Sequence, residues 1–562
     1  MSEWLPSFQR AVQLTGPDEL VLNHRKPVPR PGPYQLLCRV EAVGLCFSDL
    51  KLLKQFSHHP RKSEIISGTA ADVLAEIPSY APGHQPTVPG HEAVVRVAAV
   101  GEAVSGARAG QRYLVQTDYR WLPTEHANAS FGYNFEGALQ EYVLLDQRII
   151  TSPQGESMLI PASEDLAASA VALVEPWACV EDAYATRERR TPLSDGEMLV
   201  AAAPGVPTEG MASLLACGAR PARITWLGPG MPAAVRGVSV SPATDLAALP
   251  DAAFDDVVAL GARPETVETL FGKVAPRGLF LIACAGRRFA RPVAVPVGRT
   301  HYGGIRLVGT TSADPADALR AVPGSGELRP GEVVEVVGAA GPMGAMHVIR
   351  DLCQGVPGIT VLAADLDDVR LASLRKIAEP LAAKHNVAFH SYNPQRERPS
   401  ARPSYVVVMV PAPSLVAEAV SRAAEGGIIN VFAGIPAEVT APLDLDAYIT
   451  KGLYMIGTSG SVLGDMRTVL AKVESGQLDT NLSVAAVSGL EGAVGGLRAV
   501  ERREVPGKVI VYPACRGLGL TRLEELPAHL PQVAARLDEG KWTRMAEEAL
   551  LAQWTGREHR RP

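Results

Sequence analysis

Three side chains that commonly bind metal ions occur at separated positions in the first third of the chain. Cys46 follows an alternating apolar run at residues 36–43, which predicts a strand. His91 lies in a Pro-Gly-His-Glu run, and Glu175 precedes a proline that favours the start of a helix. A thiolate, an imidazole and a carboxylate that leave a fourth position open are typical of a catalytic zinc ion. Cys46 taken alone could instead be a small buried apolar residue.

Two more polar side chains follow Cys46 within one turn. Ser48 carries a hydroxyl that could pass a proton, and the carboxylate of Asp49 could orient an imidazole that binds a metal. The end of the predicted strand therefore presents a thiol, a hydroxyl and a carboxylate together.

The order of these motifs resembles that of a known enzyme family. The runs Gly-Leu-Cys-Phe-Ser-Asp (residues 44–49), Pro-Gly-His-Glu (residues 89–92) and Glu-Pro (residues 175–176) resemble the zinc-dependent medium-chain dehydrogenase/reductase family. Within it, they are most similar to the sorbitol dehydrogenase and ketose-phosphate (sorbose-phosphate) reductase branch.

This resemblance implies roles for particular residues. Cys46, His91 and Glu175 would bind the zinc ion. Glu92 would be an alternate or water-mediated ligand, and Ser48 would be the hydroxyl of a proton relay. Lys51 stands where the alcohol dehydrogenase members often carry a histidine.

Length and composition limit the class of protein. A chain of 562 residues predicts three or four domains, and a net charge of −6 gives no electrostatic case for nucleic acid. The seven cysteines include no Cys-x-x-Cys pair, which suits a reducing compartment. The start of the chain lacks the pattern of a signal peptide, and no apolar run reaches the ~18 residues that cross a bilayer. We therefore expect a cytoplasmic protein that binds neither nucleic acid nor membrane.

Residues 1–190 contain short predicted strands separated by Gly and Pro, which is typical of a small irregular β domain. The resemblance implies that this domain has the chaperonin-like (GroES-like) catalytic fold. The family's second zinc would need four closely spaced cysteines, and residues 116–136 contain none. We therefore expect one catalytic zinc ion and no structural zinc.

Two loop segments of this domain each allow two interpretations. Residues 51–87 could bind a substrate phosphate or form a solvated loop, and their basic residues include Lys51, Lys54, His58, His59, Arg61 and Lys62. Residues 116–136 could line a substrate cleft or form a surface loop, and they include Tyr119, Arg120, Trp121, Tyr133 and Asn134.

From about residue 191, strands alternate with helices, and this pattern occurs twice. The Gly-Glu pairs that open the two copies, at 196–197 and 331–332, lie 135 positions apart. The pattern predicts two tandem Rossmann-like parallel α/β units, at residues 191–326 and 327–478. Residues 479–515 are predicted to return to the catalytic domain, and residues 516–562 to form a helical C-terminal tail.

The second copy has the features of a dinucleotide site. A predicted strand leads into a glycine-rich turn and then a helix, so that backbone can approach a pyrophosphate at the helix N-terminus. The next strand ends at Asp365, whose carboxylate would bind the ribose hydroxyls and repel a 2′-phosphate, which favours NAD over NADP. The predicted cofactor-binding residues are Gly338, Gly341, Pro342, Met343, Gly344 and Asp365.

The first copy is predicted to be degenerate. Pro207 removes a backbone donor from the matching turn, and Glu209 places negative charge where a phosphate would lie. We expect a structural role for it, in packing, dimer formation or as a lid; the alternative is that it binds a different nucleotide.

Together these features predict a zinc-dependent oxidoreductase that transfers hydride between NAD and a secondary alcohol of a polyol, sugar or sugar phosphate. We expect a homo-oligomer acting on a small-molecule substrate. Two alternatives remain open. One is a zinc-free oxidoreductase similar to quinone reductases, and the other is a non-catalytic nucleotide-binding scaffold.

Overall fold

The computed structural model describes residues 5–185, 188–218, 220–231, 238–458 and 460–558. The chain divides into two units. One unit comprises residues 1–178 and 461–562, and the other comprises residues 179–460.

Short strands dominate residues 5–185. The strands are β1 (Phe8–Gly16), β2 (Glu19–Pro27), β3 (Gln35–Gly44), β4 (Glu92–Val100), β5 (Arg112–Val115), β6 (Asp118–Pro123), β7 (Asn128–Ser130), β8 (Tyr142–Asp146) and β9 (Leu159–Pro161). The helices are α1 (Phe47–Gln55), α2 (Ala71–Ala75), α3 (Gln147–Ile150), α4 (Ala168–Ala172) and α5 (Val174–Ala185).

Strands and helices alternate in the first copy of the repeat. The strands are β10 (Glu197–Ala202), β11 (Arg223–Leu227), β12 (Ser239–Ala243), β13 (Phe254–Leu260), β14 (Val274–Ala283), β15 (Val293–Val295) and β16 (Arg306–Thr310). The helices are α6 (Met211–Ala216), α7 (Pro264–Lys273) and α8 (Gly298–Tyr302).

The second copy repeats this alternation with longer helices. Its strands are β17 (Val333–Val337), β18 (Thr360–Ala364), β19 (Ala388–Tyr392), β20 (Tyr405–Val408), β21 (Ile428–Val431), β22 (Ala441–Leu443) and β23 (Tyr454–Ile456). Its helices are α9 (Pro342–Cys353), α10 (Asp368–His385), α11 (Pro413–Arg422) and α12 (Leu445–Thr450).

Among the described residues after the repeat there are three strands and five α-helices. The strands are β24 (Val484–Ser488), β25 (Lys508–Val511) and β26 (Thr521–Arg522). The helices are α13 (Leu463–Glu474), α14 (Leu490–Glu501), α15 (Leu526–His529), α16 (Pro531–Ala534) and α17 (Arg544–Glu558). No described helix is both long enough and apolar enough to cross a membrane.

An eight-stranded sheet forms the centre of the unit that comprises residues 1–178 and 461–562, and in it β3 pairs with β4, β8 and β25. The β3–β4 pairing is antiparallel and places Gly44 opposite Glu92. The last residues of β3 and the first residues of β4 therefore lie at the same edge of the sheet. This register brings the segment that holds Cys46 next to the segment that holds His91, although 45 positions separate the two in the chain.

The two copies of the repeat form two six-stranded parallel sheets with the same strand order. The order is β12-β11-β10-β13-β14-β16 in the first sheet and β19-β18-β17-β20-β21-β23 in the second. Numbered within each copy, this is the order 3-2-1-4-5-6 of the doubly wound dinucleotide fold. The predicted pair of Rossmann-like units is therefore confirmed as a fold.

Candidate active site

The described residues include a group of three possible metal ligands in the unit of residues 1–178 and 461–562. One ligand atom each from Cys46, His91 and Glu92 lies within 4.8 Å of the other two. His91 is 5% exposed and Glu92 is fully buried, while the thiol of Cys46 is half-buried. Sulfur, nitrogen and oxygen ligands from a thiolate, an imidazole and a carboxylate are the set that zinc accepts.

Ser48 and Asp49 contact this group. They lie in the first turn of helix α1, which begins three residues after the end of strand β3. The Ser48 hydroxyl donates to Cys46 Sγ at 3.0 Å and lies 3.0 Å from His91 Nε2. Asp49 Oδ1 lies 3.1 Å from His91 Nδ1, and Asp49 Oδ2 accepts the Cys46 N–H at 3.0 Å. The buried Asp49 carboxylate therefore fixes the imidazole with Nε2 directed towards Ser48 and Cys46.

A lysine from a distant part of the chain, Lys508, contacts Glu92. Lys508 opens β25, and its Nζ donates to Glu92 Oε1 and to the Leu45 carbonyl, the latter at 3.2 Å. Burial alone would lower the pKa of Lys508, but Glu92 and Cys46 outweigh burial and raise it. Nothing in the sequence indicates this ion pair except a charged residue at the start of the apolar strand β25.

The second oxygen of Glu92 supports a cation at this place. Glu92 Oε2 is buried, and no hydrogen-bond partner for it occurs among the residues that the structure describes. A Cβ atom on Gly44 would overlap this oxygen, so that only glycine leaves room for the carboxylate here. Because a buried carboxylate oxygen without a partner is costly, the donor set fits a bound zinc ion.

Glu175, at the start of α5, lies outside the group of three but close to it. Its side chain is buried, and burial raises the pKa of its carboxyl to about 7. The His91 imidazole opposes this rise in pKa and the Glu92 carboxylate adds to it, so both are electrostatic neighbours of Glu175. That Glu175 is a zinc ligand stays a prediction.

Several side chains of the 116–136 segment are buried, so the segment is not simply a surface loop. Tyr119, Tyr133 and Asn134 are buried, while Arg120 is exposed. The Tyr133 ring lies 5.5 Å from the His91 ring and 5.0 Å from the His59 ring, measured between centroids. The surface-loop interpretation fails for the buried residues because the segment folds back over the imidazole of the candidate site.

The basic loop at residues 51–87 is buried in part, at His59 and Lys62, while Lys51, Lys54 and His58 are exposed. Lys62 is fully buried, and its Nζ donates to the Ala81 and Gln85 carbonyls at 2.6 Å each. Arg61 forms an ion pair with Asp118 at 2.9 Å. Lys62 therefore fastens the loop to its own backbone and is not placed to bind a substrate phosphate.

We expect Lys62→Met to lower the free energy of unfolding by about 2 kcal/mol, because the buried Ala81 carbonyl and the Gln85 carbonyl lose their donor. Burial lowers the pKa of Lys62 to about 8. Between that pH and the ordinary lysine value the unfolded chain binds more protons, so the native protein gains stability as the pH rises. The Lys62→Met variant should lack this gain. Urea unfolding at several pH values tests both points. The exposed Lys51→Met should behave as the native protein, and an unchanged Lys62→Met would contradict the assigned role.

The glycine-rich turn of the second copy lies between β17 and α9. Gly338 has a φ of +88°, and a Cβ on Gly344 would overlap the Gly338 carbonyl oxygen. The Ala340 N–H donates to Asp365 Oδ2 at 3.0 Å, because β17 and β18 are neighbours and end at the same edge of the sheet. Pro342 opens α9 and is exposed, and Met343 is half-buried. The structure thus brings together the six residues predicted to bind the cofactor.

A protein-family model, the Alcohol dehydrogenase GroES-like domain, matches residues 32–154. This match confirms the chaperonin-like part of the predicted fold class.

Two curated relatives match about two fifths of the chain. The "Uncharacterized protein YggP" of Escherichia coli (strain K12) is 26% identical over 249 residues, which are 40% of this chain and 58% of that protein. The L-sorbose 1-phosphate reductase of Klebsiella pneumoniae is 27% identical over 235 residues, which are 40% of this chain and 56% of that enzyme. The chain therefore spans little more than half the length of these relatives.

The fold is similar to that of solved dehydrogenases. The 2R,3R-butanediol dehydrogenase from Bacillus subtilis aligns with a TM-score of 0.50 and 14% identity, over 90% of this chain and 99% of that one. At this identity the likeness concerns the fold alone.

Proposed function

Because the chain fits the medium-chain dehydrogenase/reductase family, we propose that it is a zinc-dependent oxidoreductase that transfers hydride between NAD and a secondary alcohol of a polyol or sugar, free or phosphorylated. The single observation that supports this most is the convergence of Cys46, His91 and Glu92 within 4.8 Å. A cytoplasmic location, a small-molecule substrate and a homo-oligomeric state belong to the same proposal.

Each residue of the site has a task in this proposal. Cys46 and His91 would hold one zinc ion, with Glu175 or Glu92 as the acidic ligand. When bound, zinc would supply a Lewis acid that lowers the pKa of the substrate hydroxyl, and NAD would supply the hydride acceptor. Ser48, within hydrogen-bond distance of both Cys46 and His91, would accept the substrate proton and pass it outward.

Asp49 and Lys508 would act through the ligands. Asp49 keeps His91 Nε2 available by binding Nδ1, which fixes the orientation of the ring. Lys508 neutralises one oxygen of Glu92, so that the buried carboxylate can remain charged beside the thiolate.

In this proposal, the preference for NAD over NADP depends on the carboxylate of Asp365. In Asp365→Asn the repulsion of a 2′-phosphate is lost, and we expect the ratio of NAD to NADP affinity to fall by about tenfold or more. Fluorescence titration with NADH and NADPH measures this ratio. Asp367→Asn, whose carboxylate caps helix α10 two residues further on, is the matched control. An unchanged ratio in Asp365→Asn would remove the argument for NAD.

A substrate screen tests the activity itself. The zinc-loaded protein is mixed with NAD or NADP and a panel of polyols, sugars and sugar phosphates, and NAD(P)H formation is followed by absorbance. We expect reduction of NAD with at least one polyol or sugar substrate, and close to one zinc ion per chain by metal analysis. The name of the Klebsiella pneumoniae relative, a sorbose 1-phosphate reductase, is the reason to include ketose phosphates.

Two alternatives give different results in the same assays. A zinc-free oxidoreductase similar to quinone reductases would contain no zinc and would reduce quinones with NAD(P)H. A non-catalytic scaffold would bind NADH, seen as protection from heat, and turn over no substrate in the panel.

A further inference from the structure

The two copies of the repeat meet through equivalent segments within the unit of residues 179–460. Strand β15 of the first copy pairs antiparallel with β22 of the second, with Val293 opposite Leu443, Ala294 opposite Pro442 and Val295 opposite Ala441. Both strands lie between the fifth and sixth sheet strands of their own copy. A shift of 148 positions turns Val293 into Ala441 and Val295 into Leu443. The pairing is therefore symmetric about Ala294 and Pro442.

The same shift relates the contacts around the edge strands β16 and β23. Gly309, in β16, packs against Ile449 of helix α12, and a Cβ atom there would overlap that side chain. Gly457, directly after β23, packs against His301 of helix α8, and a Cβ would lie 2.9 Å from His301 Cα. Gly309 and Gly457 are 148 positions apart, and so are His301 and Ile449. Each copy thus gives the other the contact that it receives, which is the property of a two-fold, isologous interface.

Polar side chains also form hydrogen bonds at the same interface. The Tyr448 hydroxyl, from α12, donates to the Leu307 carbonyl of β16 at 2.9 Å and accepts the Met455 N–H of β23 at 3.0 Å. The Glu188 carboxylate accepts from Arg306 Nε and from the Tyr454 hydroxyl, each at 2.8 Å. Arg306 and Tyr454 are again equivalent positions, the first residues of β16 and β23. Tyr448 of the second copy therefore bonds to the outer strands of both sheets, and Glu188, which precedes the first copy, bonds to the first residue of each.

Apolar side chains join the two copies into one core. A single cluster of buried residues includes Val295 and Leu307 from the first copy and Leu443, Tyr448 and Met455 from the second. Exposing such a face would leave both an apolar surface and a sheet edge open to association.

The turn of the first copy is closed by its own side chains. Glu209 Oε2 accepts the Thr208 N–H at 3.0 Å, at the place where a phosphate would accept in the other copy. Arg287 donates to the Pro204 carbonyl at 2.7 Å, and the side chain of Val206 fills the space beside Gly261. A phosphate would meet a carboxylate instead of backbone donors here.

We propose that the first copy is a built-in subunit. It occupies, within the same chain, the two-fold face of the second copy that a separate dinucleotide-binding unit could otherwise fill, and it binds no cofactor. The molecule then carries one dinucleotide site for each pair of copies. A homo-oligomer of this chain must use another face. This inference does not rest on the proposed oxidoreductase activity.

Hydrogen exchange of the full-length protein tests the interface. The protection of the backbone amides in β16 and β23 should not change when the protein is diluted about a hundredfold, because the partner is covalently attached. Loss of protection in both strands on dilution would overturn the proposal, since a second chain would then be covering them.

Substitutions across the interface provide a second test. Gly309→Val lies in the first copy, and we expect it to raise exchange in β23 of the second copy by about tenfold, as well as in β16. Tyr448→Phe, a milder change, should raise exchange in both strands to a smaller extent. Gly272→Ala, in helix α7 with only Asp251 at 3.5 Å from the new Cβ, should alter neither strand. An effect of Gly309→Val confined to the first copy would contradict a shared interface.

Cofactor stoichiometry is the third test, by calorimetric titration with NADH. One NADH per chain is expected, and two would show that the first copy binds as well. No binding at all would refute the proposed function, while the exchange measurements would still decide the interface.

Discussion

Cys46→Ser is expected to remove the bound zinc and to lower kcat/KM by about three orders of magnitude or more. A serine hydroxyl stays protonated at neutral pH and is a poor ligand for zinc, whereas a thiolate is among its best. The substitution also removes the sulfur that accepts the Ser48 hydroxyl at 3.0 Å, so that both the metal site and the hydroxyl beside it lose a fixed partner. Metal analysis and initial rates on the best substrate of the screen measure the two losses.

The control for this prediction is another thiol in the same chain. Cys217 is exposed, and Cys217→Ser should keep both zinc and rate. Circular dichroism and thermal unfolding should show that Cys46→Ser remains folded, because the side chain is at the surface of the site and not in the apolar core. If Cys46→Ser keeps its zinc and nearly full turnover, the zinc assignment is wrong.

Gly344→Ala should weaken NADH binding by about a hundredfold. The new Cβ would overlap the Gly338 carbonyl oxygen and would lie 2.9 Å from Ala339 Cα, and both of these atoms belong to the backbone. Since backbone cannot rotate away as a side chain can, the turn must open, and its N–H groups would leave the positions that a pyrophosphate needs. Direct titration with NADH gives the loss of affinity, and the zinc content should not change.

Gly464→Ala is the matched substitution at the start of another helix. There the new Cβ would have only Val462 Cγ2 nearby, at 4.0 Å, so that affinity and stability should stay close to those of the native protein. A Gly344→Ala protein that binds NADH normally would mean that the cofactor lies elsewhere, and the glycine turn of the second copy would lose its assigned role.

Much of this molecule could be predicted from local sequence. The run Gly-Leu-Cys-Phe-Ser-Asp specifies a strand end followed by a helix, and that local geometry alone places Ser48 and Asp49 beside Cys46. The glycine turn before α9 and the acid at the end of β18 were recognisable because each uses backbone conformation and spacing within a few residues. The duplication was visible because both copies begin with a Gly-Glu pair before a predicted strand and then alternate strands with helices.

Other features depend on residues that only the tertiary structure brings together. Lys508 reaches Glu92 from 416 positions away, and no pattern in either segment indicates the pair. The burial of Lys62, which removes this one residue from a phosphate site in the basic loop, follows from two carbonyls of the same loop folding around its ammonium. The sequence predicts a first copy without a cofactor site, but it does not predict that β15 of this copy pairs with β22 of the second. Local patterns determine backbone conformation, whereas such partnerships arise from packing between surfaces that are distant in the chain, and packing leaves no periodic signal in either one.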